Sequence, residues 1–194
     1  MKFIPEERAK KMSFDRMIFK LLPTEETKAI WDYDFEYRVD VTLREDCLEW
    51  EVIVLNLGDK EFEYTHGLHT YFDVSSLSNI VIEGPFKGAS TLDRLKECDA
   101  TGESDQIKIT EAVDMMYRDV SGPITITDTG KGTKTTIERE GYTDTCVWSP
   151  FGNDAQGYDK FICVEPICGS KPVTAPVGKF KETRYMMRVR CDKI

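Results

Sequence analysis

The sequence predicts an all-β protein built as an antiparallel β-sandwich. Three observations predict it. Apolar and polar residues alternate at period two from Phe35 onward, Gly, Pro, Asn and Asp interrupt the chain at short intervals, and no segment keeps an amphipathic helical period over three turns. A βαβ fold needs long amphipathic segments between its strands, so a sandwich or barrel remains.

Taken in chain order, residues 1–18 are the part least tied to the alternation and are assigned to an N-terminal extension, with a sandwich domain over 19–194. Short helical periods fall at 6–12 and 25–30. On the first clear strand Phe35, Tyr37, Val39, Val41 and Leu43 share one face, while Glu36, Arg38, Asp40 and Thr42 share the other, which is expected to be solvated. The next strand runs through Leu48, Trp50, Val52 and Val54, turns over 56–60, and is followed by Phe62, Tyr64, His66 and Leu68 as a meander. Further strands are expected at 80–82, 106–110, 124–127, 133–137, 145–148, 160–164 and 184–191. Gly130-Lys131-Gly132-Thr133 lacks the G-x-x-x-x-G-K-[ST] spacing of a phosphate loop and has strands on both sides, so it reads as a hairpin turn.

A length of 194 residues suits one core, and folding at this size buries about 70% of the unfolded surface without a disulfide or metal staple. No run approaches the roughly 18 apolar residues that would cross a bilayer. MKFIPEERAKKM carries charges where a secretory leader would be apolar, so a cytoplasmic protein is expected. With 35 acidic against 26 basic residues the net charge is −9, which disfavours nucleic acid and anionic lipid as partners. The six cysteines form no C-x-x-C pair, and Cys146 and Cys163 lie in apolar stretches where a reduced thiol acts as a small hydrophobe.

Two positions carry candidate chemistry. His66 and His69 read H-x-x-H, yet on a strand they point to opposite faces, so no shared metal site is expected. Glu165 ends the apolar run Phe161-Ile162-Cys163-Val164, where the alternation does not call for a carboxylate, and Pro166 is expected to stop the ladder there. Such a glutamate is either paired structurally or kept as a general base, with desolvation raising its pKa.

The string EFEYTHGLHTYFDV, preceded by WDYDFEYRVDVTL and LEWEVIVLNLGDK and followed by EAVDMMY, VWSPF and KFICVEP, resembles the glucose-6-phosphate 1-epimerase (hexose-6-phosphate mutarotase) branch of the aldose 1-epimerase, or galactose mutarotase-like, superfamily. The resemblance runs from about Phe19 to the C-terminus. It implies a large twisted antiparallel sandwich, a small-molecule sugar or sugar-phosphate substrate, and no metal or organic cofactor. It further implies Glu165 as the general base at the anomeric hydroxyl, His69 as the general acid at the ring oxygen, and Asp114 as a substrate-hydroxyl ligand. Ser149, Phe151, Met115 and Ile167 depart from the family pattern.

The family's R-G-G and Q-H-G-F-A-R motifs, whose side chains grip the sugar phosphate, have no counterpart in the sequence. An N-terminally shortened sandwich is therefore expected, with a sheet edge open to self-association. Each charge-assisted phosphate contact is worth roughly 1.5–3 kcal/mol, so two missing arginines weaken binding by about a hundredfold or more. Arg94, Arg118 and Lys171 are candidates for a replacement clamp. The alternative reading is a non-catalytic carbohydrate-binding or interaction module on the same fold.

Overall fold

Backbone pairing follows the sequence alternation closely in the computed structural model, which describes residues 2–4, 15–178 and 181–194. The strands are β1 (Lys2–Ile4), β2 (Asp15–Leu21), β3 (Phe35–Leu43), β4 (Leu48–Asn56), β5 (Phe62–Gly67), β6 (Tyr71–Asp73), β7 (Ile80–Glu83) and β8 (Ser90–Asp93). They continue as β9 (Cys98–Thr101), β10 (Gln106–Ile107), β11 (Val113–Tyr117), β12 (Ile124–Asp128), β13 (Thr133–Glu140), β14 (Asp144–Ser149), β15 (Phe161–Ala175) and β16 (Glu182–Lys193). The expected helical segment 6–12 lies outside the described residues. β2 begins at Asp15, so the boundary drawn after residue 18 falls inside a strand.

The single α-helix among the described residues is α1 (Glu25–Ile30), started by a reciprocal cap in which Thr24 Oγ1 accepts from Thr27 N and Thr27 Oγ1 accepts from Thr24 N. No helix among the described residues is long and apolar enough to cross a membrane.

Tertiary contacts divide the chain into two compact units, Met1–Thr65 with Pro172–Arg188, and His66–Lys171 with Val189–Ile194. In the first unit β1, β2, β3 and β4 pair antiparallel in chain order, with Phe35 opposite Asn56 and Leu43 opposite Leu48. Asn56 shapes the turn after β4 by donating to Lys60 O at 2.7 Å and accepting from Gly58 N at 3.0 Å. Asp40 corrects the sequence expectation, being only 3% exposed instead of solvated. Arg16 at 2.6 Å and Arg38 at 3.1 Å pair with its carboxylate, which is what allows a charge to be buried there.

The second unit is the sandwich that carries the candidate site. One sheet has the order β13, β12, β7, β10; the other runs β15, β14, β11, β8, β9, with β6 also paired to β15. Ile82, Ile124, Ile126 and Ile137 from the first sheet and Val147, Ile162 and Val164 from the second are buried and supply the core. The Gly130 segment is the β12–β13 hairpin turn. Asp128 accepts from Gly130 N at 2.9 Å and Lys131 N at 3.1 Å, and Gly132 takes a left-handed φ of +64°.

Asp144, with no exposed surface, gathers more backbone than any expectation from sequence suggested. Its carboxylate accepts from Ser170 N at 2.7 Å, Gly169 N at 3.0 Å, Asp119 N at 3.1 Å and Ser170 Oγ at 2.9 Å.

Pro166 does not stop the ladder, contrary to expectation: β15 continues through it to Ala175. Proline removes only a donor, and its carbonyl still accepts from Leu68 N at 3.1 Å. The strand expected at 106–110 shortens to Gln106–Ile107, while β6, β8, β9 and β11 were not anticipated.

Candidate active site

The candidate residues meet because antiparallel pairing sets opposite residues side by side on one face of a sheet. Tyr71 of β6 lies opposite Cys163 of β15, Cys163 opposite Trp148 of β14, and Trp148 opposite Asp114 of β11. Arg94, just past β8, extends this row by donating its backbone N–H to Asp114 O at 2.9 Å. Two residues along the strands, on the same face, a second row holds Glu165, Cys146, Met116 and Leu92. Asp114 thus sits within β11.

His69 reaches this face from the loop between β5 and β6. That loop is clipped to the strand bearing Glu165 at two points, Leu68 N to Pro166 O and Thr70 Oγ1 to Val164 O at 2.6 Å. Gly67 makes the close approach possible. A Cβ there would overlap Ile167 Cγ2 and stand 3.1 Å from Pro166 O, so Gly67→Ala is expected to cost about 1–3 kcal/mol, read as a lower midpoint in thermal denaturation. An unchanged midpoint would show that the clip tolerates a side chain.

The result is a carboxylate and an imidazole in direct apposition, with His69 Nδ1 3.1 Å from Glu165 Oε1. Their surroundings differ. Glu165 is 8% exposed, whereas the His69 side chain is 56% exposed. Burial holds the Glu165 carboxyl above the ordinary carboxylate range; His69 and Arg94 pull it partly back and Asp114 pushes it further up. Burial, with Glu165 adding, pushes the Cys163 thiol up to about 12.

Aromatic rings wall the face. His69 stacks on Tyr71 at 4.9 Å and meets the edge of Trp148 at 5.6 Å, and Phe161 closes the group at 5.0 Å from Tyr71. Such rings offer flat apolar surface to the C–H face of a sugar while the polar groups address its hydroxyls. A separate cavity of about 690 Å³, lined in part by Leu77, Ile80, Phe151 and Tyr158, contains none of these acid/base groups.

Of the residues picked out from sequence, the fold brings His69, Glu165, Asp114 and Arg94 together. Arg94 Nη1 lies 3.8 Å from Asp114 Oδ1. Arg118 is committed to Asp99 at 2.7 Å and Lys171 to Asp119 at 2.9 Å. His66 packs instead against Tyr142 at 5.2 Å, and burial lowers its pKa to about 4. The contributions of Tyr71, Trp148 and Phe161 were not foreseen; the VWSPF and KFICVEP blocks held the only sequence signal for two of them.

Comparison with known proteins bears on this arrangement. A protein of Cenchrus ciliaris described as a "Putative glucose-6-phosphate 1-epimerase" is 32% identical over 171 residues, covering 82% of this chain and 52% of its own length. One of the same description from Escherichia coli K12 is 25% identical over 186 residues, covering 91% of this chain and 60% of its own. The chain therefore spans little more than half the length of the curated relatives it matches. A Salmonella typhimurium crystal structure, titled a "putative mutarotase", superposes with a TM-score of 0.84 at 19% identity, over 99% of this chain and 65% of that one, a likeness of fold. The family model for aldose 1-epimerase matches residues 6–186, nearly the whole sequence, and with the galactose mutarotase-like sandwich in place the chain belongs to the aldose 1-epimerase family.

Proposed function

We propose that this chain interconverts the α and β anomers of an aldose by acid/base ring opening, with glucose 6-phosphate or a related hexose 6-phosphate as substrate. The observation that carries the reading is the 3.1 Å apposition of buried Glu165 and exposed His69. The anomeric oxygen O1 and the ring oxygen O5 are bonded to the same carbon. A base and an acid that serve both must therefore stand within a hydrogen bond of neighbouring atoms.

In this scheme Glu165 takes the proton from the O1 hydroxyl while protonated His69 gives one to O5. The C1–O5 bond breaks, C1=O1 forms, and the open aldehyde turns about C1–C2. Closure reverses the transfers, with Glu165 returning a proton to O1 and His69 removing that of the hydroxyl on C5. Asp114 accepts from a ring hydroxyl and fixes the sugar over the Tyr71–Trp148 wall. Arg94, 45% exposed at the far end of the row, is the cation this face offers an anionic sugar against a net charge of −9.

Two-dimensional exchange NMR on equilibrated glucose 6-phosphate, and in parallel on glucose, tests the reading. Cross-peaks between anomeric protons should grow with added protein, and more strongly for the phosphate. Buffer-level exchange with both sugars would sink it, and sugar-induced shifts at His69 without exchange would assign a carbohydrate-binding module instead.

A further inference from the structure

The site face assembles a donor set that the acid/base scheme does not use as a unit. One atom each from His69, Cys163 and Glu165, a nitrogen, a sulfur and a carboxylate oxygen, all lie within 4.8 Å of one another. The backbone fixes two of them, since Cys163 and Glu165 are two residues apart on β15 and project to the same face. The third is fixed by the Thr70 clip, whose hydroxyl donates to Val164 O between them.

The two strand donors are sheltered. Cys163 has no exposed surface, and although His69 Nδ1 is near, Glu165 Oε1 accepts no hydrogen bond among the described residues. A buried carboxylate oxygen without a donor is rare and marks a place where a bound group is missing from the count. Imidazole, thiolate and carboxylate together suit a borderline-soft divalent cation, which takes such ligands at about 2.0–2.3 Å in a tetrahedron and leaves the fourth position to water. The His69 side chain, 56% exposed, is the member of the set that borders solvent.

We propose that His69, Cys163 and Glu165 form a binding site for a thiophilic divalent cation of the Zn²⁺ type, whose occupancy shuts the sugar out of the acid/base pair. On binding, the Cys163 S–H bond breaks, its proton passes to solvent, and the sulfur electron pair forms the bond to the cation. No oxidation state changes; one proton leaves from the thiol, and a second leaves His69 Nδ1 when the imidazole is protonated as in the acid/base scheme. The exclusion of sugar rests on the proposed acid/base reading; the cation site itself does not.

Co²⁺ is the probe, added to the chelator-treated 194-residue chain. Wild type should develop the near-ultraviolet thiolate-to-cobalt charge-transfer band. Cys163→Ala should lose it, while Cys98→Ala and Cys191→Ala, which remove the exposed thiols, should keep it. Calorimetry with Zn²⁺ alone should show binding weakened about tenfold or more in Cys163→Ala and in His69→Ala. A wild type without the band, or a band that survives in Cys163→Ala, overturns the proposal. Should Cys163→Ala fail to fold, Cys163→Val and His69→Ala apply the same criterion. In the anomer-exchange assay, Zn²⁺ should slow the wild type in proportion to occupancy. A chain with the cobalt band but no anomer exchange would leave the cation site standing and sink the acid/base reading.

Discussion

Glu165→Gln is expected to slow protein-dependent anomer exchange by about a thousandfold, the scale of a positioned general base. The amide keeps the shape of the side chain and can no longer take the O1 proton. Exchange NMR at matched protein concentration reads the effect, and a variant as fast as wild type would remove Glu165 from the chemistry. The wild-type rate should also fall on acidification at a pH above the ordinary carboxylate value of 4.5, because burial first, and Asp114 in addition, hold the carboxyl protonated longer than His69 and Arg94 can offset. The same shift has a sign for stability. A carboxyl whose folded pKa is raised binds its proton more tightly in the fold, so its contribution declines as pH rises from the unfolded value through the folded one. Gln carries no such charge. The variant should therefore melt no lower than wild type at neutral pH, which separates lost chemistry from lost fold.

The largest stability effect is expected at Asp144, which takes no part in the proposed proton transfers. Asp144→Ala leaves the backbone donors of Asp119, Gly169 and Ser170 without the acceptor that the buried Asp144 carboxylate provides. At about 1–3 kcal/mol for each stranded donor, a loss of at least about 3 kcal/mol should appear in urea denaturation at neutral pH. Asp144→Asn keeps one carbonyl oxygen and should recover part of it. Burial works against the carboxylate, yet the hydrogen bonds from Ser170, Asp119 and Gly169 outweigh it and hold the pKa below 3.8. Stability from Asp144 is then complete above that value and is lost only as pH falls through the lowered one. A loss under 1 kcal/mol in Asp144→Ala would show that water reaches these donors.

Long, cleanly alternating strands were legible from sequence; short polar ones were not. Phe35–Leu43 is bounded as read, because strict apolar/polar alternation over nine residues is the period of an extended strand. β9, exposed at all four residues, is a strand only because β8 pairs with it, and nothing in Cys-Asp-Ala-Thr announces that. Glu165 stood out because a carboxylate interrupts an apolar run. The company it keeps did not, since Tyr71, Cys163, Trp148 and Asp114 become neighbours only through register between distant segments. Asp40 misled for a related reason, as one of the two arginines that neutralise it, Arg16, comes from another strand.

The two rows that hold the site have a consequence for how such a protein can change. β14 and β15 turn Val147, Ile162 and Val164 to one side and Cys146, Trp148, Cys163 and Glu165 to the other. Each strand therefore bears two interleaved texts, odd and even, one about holding together and one about reactivity. Substitutions in the second leave the inter-sheet core untouched, while Met116, Cys146 and Ile167 pack a smaller cluster of their own on the site face. A lineage built on this sheet can rewrite its chemistry letter by letter while the letters between stay fixed.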